Sequence, residues 1–216
     1  MIISRARGHL FERPRMNQPT DAQSGRTFVL AISGASGAAY PLRLLDLLLR
    51  GGHGVHLVVS EYGKRLMHDE AGIKTYDLPT LCPDLARDDA GVSDRLVIHP
   101  NKDVGAVIAS GSFLHDGMVV LPCSSTSLGA IATGAGSNLL TRAAMVTLKE
   151  RRPLIVCHRE SPLNLIDIEN MRTLALAGAT ICPTNPGFYL NPKSIDDIID
   201  FTVGKVLDLL HVRHHL

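Results

Sequence analysis

Short, mainly apolar runs alternate with longer segments of helical period along this chain, and that alternation leaves few folds open. The runs at 28–32, 55–59, 118–122, 154–156 and 180–182 are strand-length. Between them, Leu42, Leu45, Leu48 and Leu49 recur at helical spacing, and helical stretches are read through 66–70, 139–151, 166–177 and 195–210. Strands that are apolar on both faces are hidden on both faces, and parallel pairing needs long crossovers, which the helices supply. The expected fold class is α/β, a single domain with a doubly wound, mostly parallel sheet. A length of 216 residues suits one such domain. Its expected span is 27–211. Residues 1–26 carry Arg5, Arg7, Arg13, Arg15 and Arg26 against only Glu12 and Asp21, with no lasting hydrophobic period, and are read as a flexible extension. Pro79, Pro83, Asp84, Asp88 and Asp89 mark 73–100 as a loop-rich excursion.

Composition excludes several classes. With 22 Lys and Arg against 21 Asp and Glu, the net charge of +1 offers no electrostatic footprint for nucleic acid. No run approaches the roughly 20 apolar residues of a membrane helix. Four cysteines, Cys82, Cys123, Cys157 and Cys182, fall one per segment with no CxxC pair. That spacing suits reduced buried thiols better than a disulfide frame or a zinc site, and a cytoplasmic setting is expected.

In such a sheet the chemistry belongs at the carboxyl ends of the strands, where loops meet helix N-termini and backbone amides receive anions. Four segments qualify. Gly34-Ala35-Ser36-Gly37 follows the first strand, and its glycines permit close approach to a ligand, although the spacing is not GxGxxG and a plain helix cap reads equally well. Ser124-Ser125-Thr126-Ser127 follows a buried strand and offers consecutive hydroxyls suited to phosphate oxygens, or an ordinary N-cap. Cys123 beside it is a buried thiol rather than a nucleophile. Arg142 and Lys149, seven apart, share nearly one helix face, and His158-Arg159-Glu160 ends the next strand, placing a cation beside a carboxylate that can move a proton. The same charges also read as a solvated helix and a structural ion pair. After the last strand, Pro186-Gly187-Phe188-Tyr189 presents an aromatic that reaches a phosphate or simply packs.

Taken in order, Gly34-Ala35-Ser36-Gly37-Ala38, Ser110-Gly111-Ser112-Phe113, Leu121-Pro122-Cys123-Ser124, Asn138 to Ala144, Leu148 to Leu154, Arg159-Glu160-Ser161-Pro162 and Pro186-Gly187-Phe188-Tyr189 resemble the flavin prenyltransferase (UbiX/Pad) family over about residues 27 to 210. The resemblance implies a Rossmann-type, flavodoxin-like fold and reduced FMN as the acceptor of a dimethylallyl group from dimethylallyl monophosphate. It implies no metal. By position, Gly34, Ala35, Ser36, Ser60, Ser124, Ser125, Thr126, Ser127 and Arg159 would hold FMN, with Ser36 near flavin N5. Tyr189, Lys205, Lys149 and Arg142 would bind the prenyl phosphate, and Ser36, Glu70 and Glu160 would be catalytic, the carboxylates handling protons. A homo-oligomer, often a dodecamer with sites at subunit contacts, and a UbiD-type decarboxylase that uses the product are also implied.

The chain departs from the family pattern at three points. Lys205 stands where many members have Arg, keeping the charge but giving up bidentate phosphate binding. Val104 aligns with a large aromatic, in a chain with no Trp, and Ser127 replaces a common Thr. Two other readings share the fold: an FMN-dependent oxidative cysteine decarboxylase, and a non-catalytic FMN carrier. The loop Pro183-Thr184-Asn185-Pro186-Gly187 lacks the Pro-Ala-Ser-Ala-Asn string of the first, and a carrier has no need of Glu70, Glu160 and Lys149.

Overall fold

A computed structural model describes residues 25–88, 90–189 and 191–216. Six strands, β1 (Thr27–Ile32), β2 (Gly54–Val59), β3 (Leu96–Pro100), β4 (Gly117–Cys123), β5 (Leu154–His158) and β6 (Thr180–Ile181), form one sheet in the order β3-β2-β1-β4-β5-β6. Every neighbouring pair is parallel. The order runs outward from β1 in one direction and from β4 in the other, so the doubly wound topology switches between these two strands.

Alternation along β1 explains the two-faced core. Phe28, Leu30 and Ile32 join Val55, Leu57 and Val59 under α1 (Ala39–Arg50) and α8 (Ile195–Leu209), where Leu44, Leu45, Leu48, Val203, Val206 and Leu207 are buried. Val29 and Ala31 face the other way, joining Val58, Met118 and Val120 beneath α5 (Ser125–Ala132), α6 (Leu139–Lys149) and α7 (Leu165–Leu176). Arg43 of α1 forks onto Asp200 of α8 at 2.6 and 3.1 Å, tying the two covering helices together.

The excursion at 73–100 is more ordered than expected. It contains α3 (Leu78–Leu81) and α4 (Pro83–Asp88), and it ends in β3 on the sheet edge. The Asp77 side chain caps α3 by accepting from the Thr80 amide at 2.8 Å, and Pro79 and Pro83, read as loop punctuation, sit instead in the first turns of α3 and α4. β3 has no fully buried residue, as an edge strand permits, and so lacks the continuous apolar signature of its neighbours.

The expected extension at 1–26 lies outside the described residues up to residue 24. Its last residue does not behave as a loose tail. The Arg26 guanidinium donates to the carbonyls of Leu210 and His211, pairs with Asp116 at 3.5 Å and lies over the Phe28 ring. Val212, just beyond the expected boundary at 211, is buried as well. All four cysteines are free thiols, three buried and Cys182 half-buried. No helix among the described residues is long and apolar enough to cross a membrane.

Candidate active site

The switch point between β1 and β4 is closed by one buried serine. Ser33, next after β1, donates its hydroxyl to the Pro122 carbonyl at 3.0 Å and accepts from the Ser124 amide at 2.7 Å. Nothing local in the sequence points to Ser33, because its partners lie 89 and 91 residues away. This clamp sets the Gly34–Gly37 loop beside the N-terminus of α5. The loop also runs hard against α2 (Glu61–Ala71): a Cβ on Gly34 would meet the Tyr62 Cβ at 2.4 Å, so only glycine fits there.

Two helix N-termini point toward this loop. Ser60 caps α2, its Oγ accepting from the Gly63 amide at 3.0 Å, and Ser124 caps α5, its Oγ accepting from the Ser127 amide at 3.3 Å. Each cap uses the acceptor capacity of the serine oxygen; the Ser124 hydroxyl in turn donates to the Ser127 Oγ at 3.3 Å. Glu70, near the end of α2, reaches back to the loop, and its Oε2 accepts from the Gly37 and Ala38 amides at 2.9 Å each. Burial works to raise the Glu70 carboxyl. The Ala38 amide, the Ser36 hydroxyl, the Gly37 amide and the charge of Arg159 outweigh it and hold the carboxyl below its ordinary 4.5. Arg159, one residue beyond β5, donates from Nε to the Ser36 carbonyl at 3.1 Å. Ser36, Glu70 and Arg159, taken from three separate segments, therefore meet at one point.

Glu160 follows Arg159 and is exposed, accepting from the Ser161 amide at 3.0 Å. Ser125 turns its hydroxyl toward His158, and Thr126 is exposed. Tyr189 is 80% exposed, with its ring edge-on to Phe201 at 5.9 Å. Lys205, exposed on α8, lies near Cys182, whose thiol is lowered by the hydrogen bond with the Cys157 thiol and by the Lys205 charge, against the opposing effect of burial. Cys123 is fully buried, and burial pushes its thiol up, which removes it as a nucleophile.

Two residues grouped by the sequence reading are separated. Arg142 is in the first turn of α6, which the Asn101 carbonyl and side chain anchor beside the end of β3. Lys149 is the last residue of that helix, about 10 Å further along its axis. There its ammonium pairs with Glu150 close to Gly111, at the amino ends of the strands. Crossover helices run opposite to the strands they connect, so seven residues on one face carry the chain away from the site. Within a single chain the structure does not bring Lys149 to the others. Val104, at the position where an aromatic was expected, is half exposed.

Hydroxyls, amides and helix N-termini at a switch point form a donor set that fits a phosphorylated flavin. Among the described residues no group of three or more His, Cys, Asp or Glu is arranged to hold a metal ion. Comparisons with known proteins agree with the flavin reading. The flavin prenyltransferase UbiX of Halalkalibacterium halodurans is 46% identical over 88% of this chain and 90% of its own length. The solved structure of AnUbiX (PadA1) in complex with FMN and dimethylallyl pyrophosphate is 36% identical, with a TM-score of 0.76 over 88% of this chain and 97% of that one. A dodecameric FMN-dependent UbiX-like decarboxylase from Escherichia coli O157:H7 is also 36% identical, with a TM-score of 0.76 over 87% and 96% of the two chains. A family model described as Flavoprotein matches residues 16–207. The chain thus belongs to the flavoprotein family, among its flavin prenyltransferases.

Proposed function

We propose that this chain transfers a dimethylallyl group from dimethylallyl monophosphate to N5 and C6 of reduced FMN, giving prenylated FMN for a UbiD-type decarboxylase. The observation that carries the reading is the meeting of Ser36, Glu70 and Arg159 beside the N-termini of α2 and α5. A carboxylate, a cation and a hydroxyl in mutual contact support a site at which a flavin edge and a phosphate would adjoin. Reduced FMN, when bound, supplies the nucleophilic ring atoms. The chain's own residues do the rest. Gly34, Ala35, Ser36, Ser60, Ser124 to Ser127 and Arg159 hold and orient the cofactor. Tyr189, Lys205 and Arg142 hold the prenyl phosphate, whose carbon–oxygen bond breaks as the carbon–nitrogen bond forms and whose phosphate leaves. Glu70 and Glu160 deliver a proton to the allyl double bond, stabilise the positive charge that this leaves for attack by C6, and take up the proton then lost from C6.

Lys149 joins this site only from a second copy of the chain, since its own site lies at the other end of the sheet. A homo-oligomer, with twelve copies as the expected number, is supported by α7, which leaves Leu165, Ile166 and Leu176 more than 70% exposed while packing along α5. Free thiols and no membrane-crossing helix among the described residues fit a cytoplasmic setting.

Incubation with reduced FMN and dimethylallyl monophosphate is expected to release a flavin heavier by one prenyl unit in the mass spectrum. A colourless protein that retains no FMN at micromolar concentration would overturn the reading. Lys205→Ala is expected to weaken the prenyl phosphate by about 1.5 to 3 kcal/mol, the scale of a charged hydrogen bond, while FMN affinity stays near the parent value. Titrating each ligand separately checks this, and equal loss of both would remove Lys205 from the prenyl site.

A further inference from the structure

The carboxyl end of β5 holds two buried polar groups, His158 and Asp167, to which the reaction described above gives no task. His158, 3% exposed, is the last residue of β5, and its Nε2 lies 3.1 Å from the Oγ of Ser125, the first residue of α5. Asp167, 2% exposed in the first turn of α7, has an Oδ2 with no hydrogen-bond partner. Because α7 packs along α5, this carboxylate enters the same interior as His158, and its negative charge acts on the imidazole. A buried carboxylate oxygen without a donor is costly unless a positive charge is close.

Proton counting at Ser125 gives these groups a direction. A serine hydroxyl has one proton, and a phosphate dianion offers only lone pairs. To meet such a phosphate at the N-terminus of α5, Ser125 must give its proton to the ligand and accept from His158. The imidazole must then carry a proton on Nε2, and the adjacent Asp167 charge favours a second proton on the ring.

We propose that His158 is a positioning residue of the flavin site: it orients the Ser125 hydroxyl toward the cofactor phosphate and takes up a proton as that phosphate binds, with Asp167 as the countercharge. The inference rests on the reading of Ser124 to Ser127 as part of the cofactor site. Without the anion, burial lowers His158 from its ordinary 6.5, against the raising charges of Asp167 on α7 and Glu160 on the following loop. From β4, Cys123 stands in register with His158 but is held neutral by burial. Arg159 turns to the Ser36 carbonyl. An arriving phosphate adds negative charge on the α5 side, and by linkage a proton follows it, so affinity rises as pH falls through the neutral range.

The test measures FMN affinity by fluorescence quenching between about pH 6 and 8, and proton uptake by calorimetry in two buffers of different ionisation enthalpy. It compares the parent, His158→Gln, Ser125→Ala, their double variant and Asp167→Asn. Titration of the FMN phosphate itself is common to all five and cancels. His158→Gln is expected to bind FMN about 10-fold more weakly near pH 7 and to lose the extra proton uptake, Ser125→Ala to lose a similar amount, and the double variant to be no worse than Ser125→Ala. Asp167→Asn, which keeps the imidazole, is expected to shift the pH dependence downward. Equal proton uptake in the parent and His158→Gln, or losses that add in the double variant, overturn the inference while leaving FMN binding established. A parent that does not bind FMN overturns the cofactor reading and this inference together. If His158→Gln does not fold, an unshifted profile in Asp167→Asn overturns it.

Discussion

Replacing Glu160 with Gln is expected to leave FMN bound and to slow formation of prenylated product by about 100-fold or more, the usual scale for a positioned acid or base. Glu160 lies one residue beyond Arg159, yet that guanidinium is turned back to the Ser36 carbonyl, and the carboxylate is exposed with a hydrogen bond only from its neighbour Ser161 among the described residues. An exposed carboxylate with no hydrogen bond to the rest of the loop fits the proposed contact with substrate better than a bracing role. The Gln variant preserves the shape of the side chain and some hydrogen bonding but removes the charge and the titrating oxygen. Single-turnover rates with saturating reduced FMN decide the matter. A variant that turns over at the parent rate would leave Glu70 as the residue that moves the proton.

Glu70→Ala is expected to lower both FMN affinity and turnover, each by about 10- to 100-fold, because it removes the acceptor of two loop amides along with the charge facing Arg159. Glu70→Gln keeps an acceptor oxygen and is expected to recover most of the binding but not the turnover. This carboxyl also leaves a mark on acid stability. Its folded value is held below the ordinary 4.5, so the stabilisation it contributes is fully present above about 4.5 and is lost as pH falls through the lower folded value. Chemical denaturation at a series of acidic pH values is expected to show a shallower fall in stability for Glu70→Ala than for the parent over that window. Identical slopes would mean that Glu70 is not ionised against the loop in the folded protein.

Glu160 and Glu70 differ in how far each was legible from the chain alone. Glu160 sits in a local string at a strand end, and local strings survive in sequence. Glu70 lies in an ordinary helix, and nothing near it announces that its carboxylate closes onto amides 32 and 33 residues away. Strands followed the same division. β1, β4 and β5 are covered on both faces and read as near-continuous apolar runs, and β2 departs from this only at the half-buried Gly54 and His56. β3, at the sheet edge, buries none of its five residues fully and was hidden in a stretch of Pro and Asp.

By itself, then, the sequence determined the doubly wound class, the glycine turn after β1 and the serine run after β4, because periodicity and turn chemistry act over a few residues. Only the tertiary structure decided which of the charged groups meet. Arg159 reaches Ser36 across 123 residues because β1, β4 and β5 are neighbours in space, whereas Lys149, in step with Arg142 on one helix face, is carried by the crossover to the opposite end of the sheet. Helical spacing fixes the face a side chain occupies. Which end of that helix faces the strand ends is fixed only when the helix packs against the sheet.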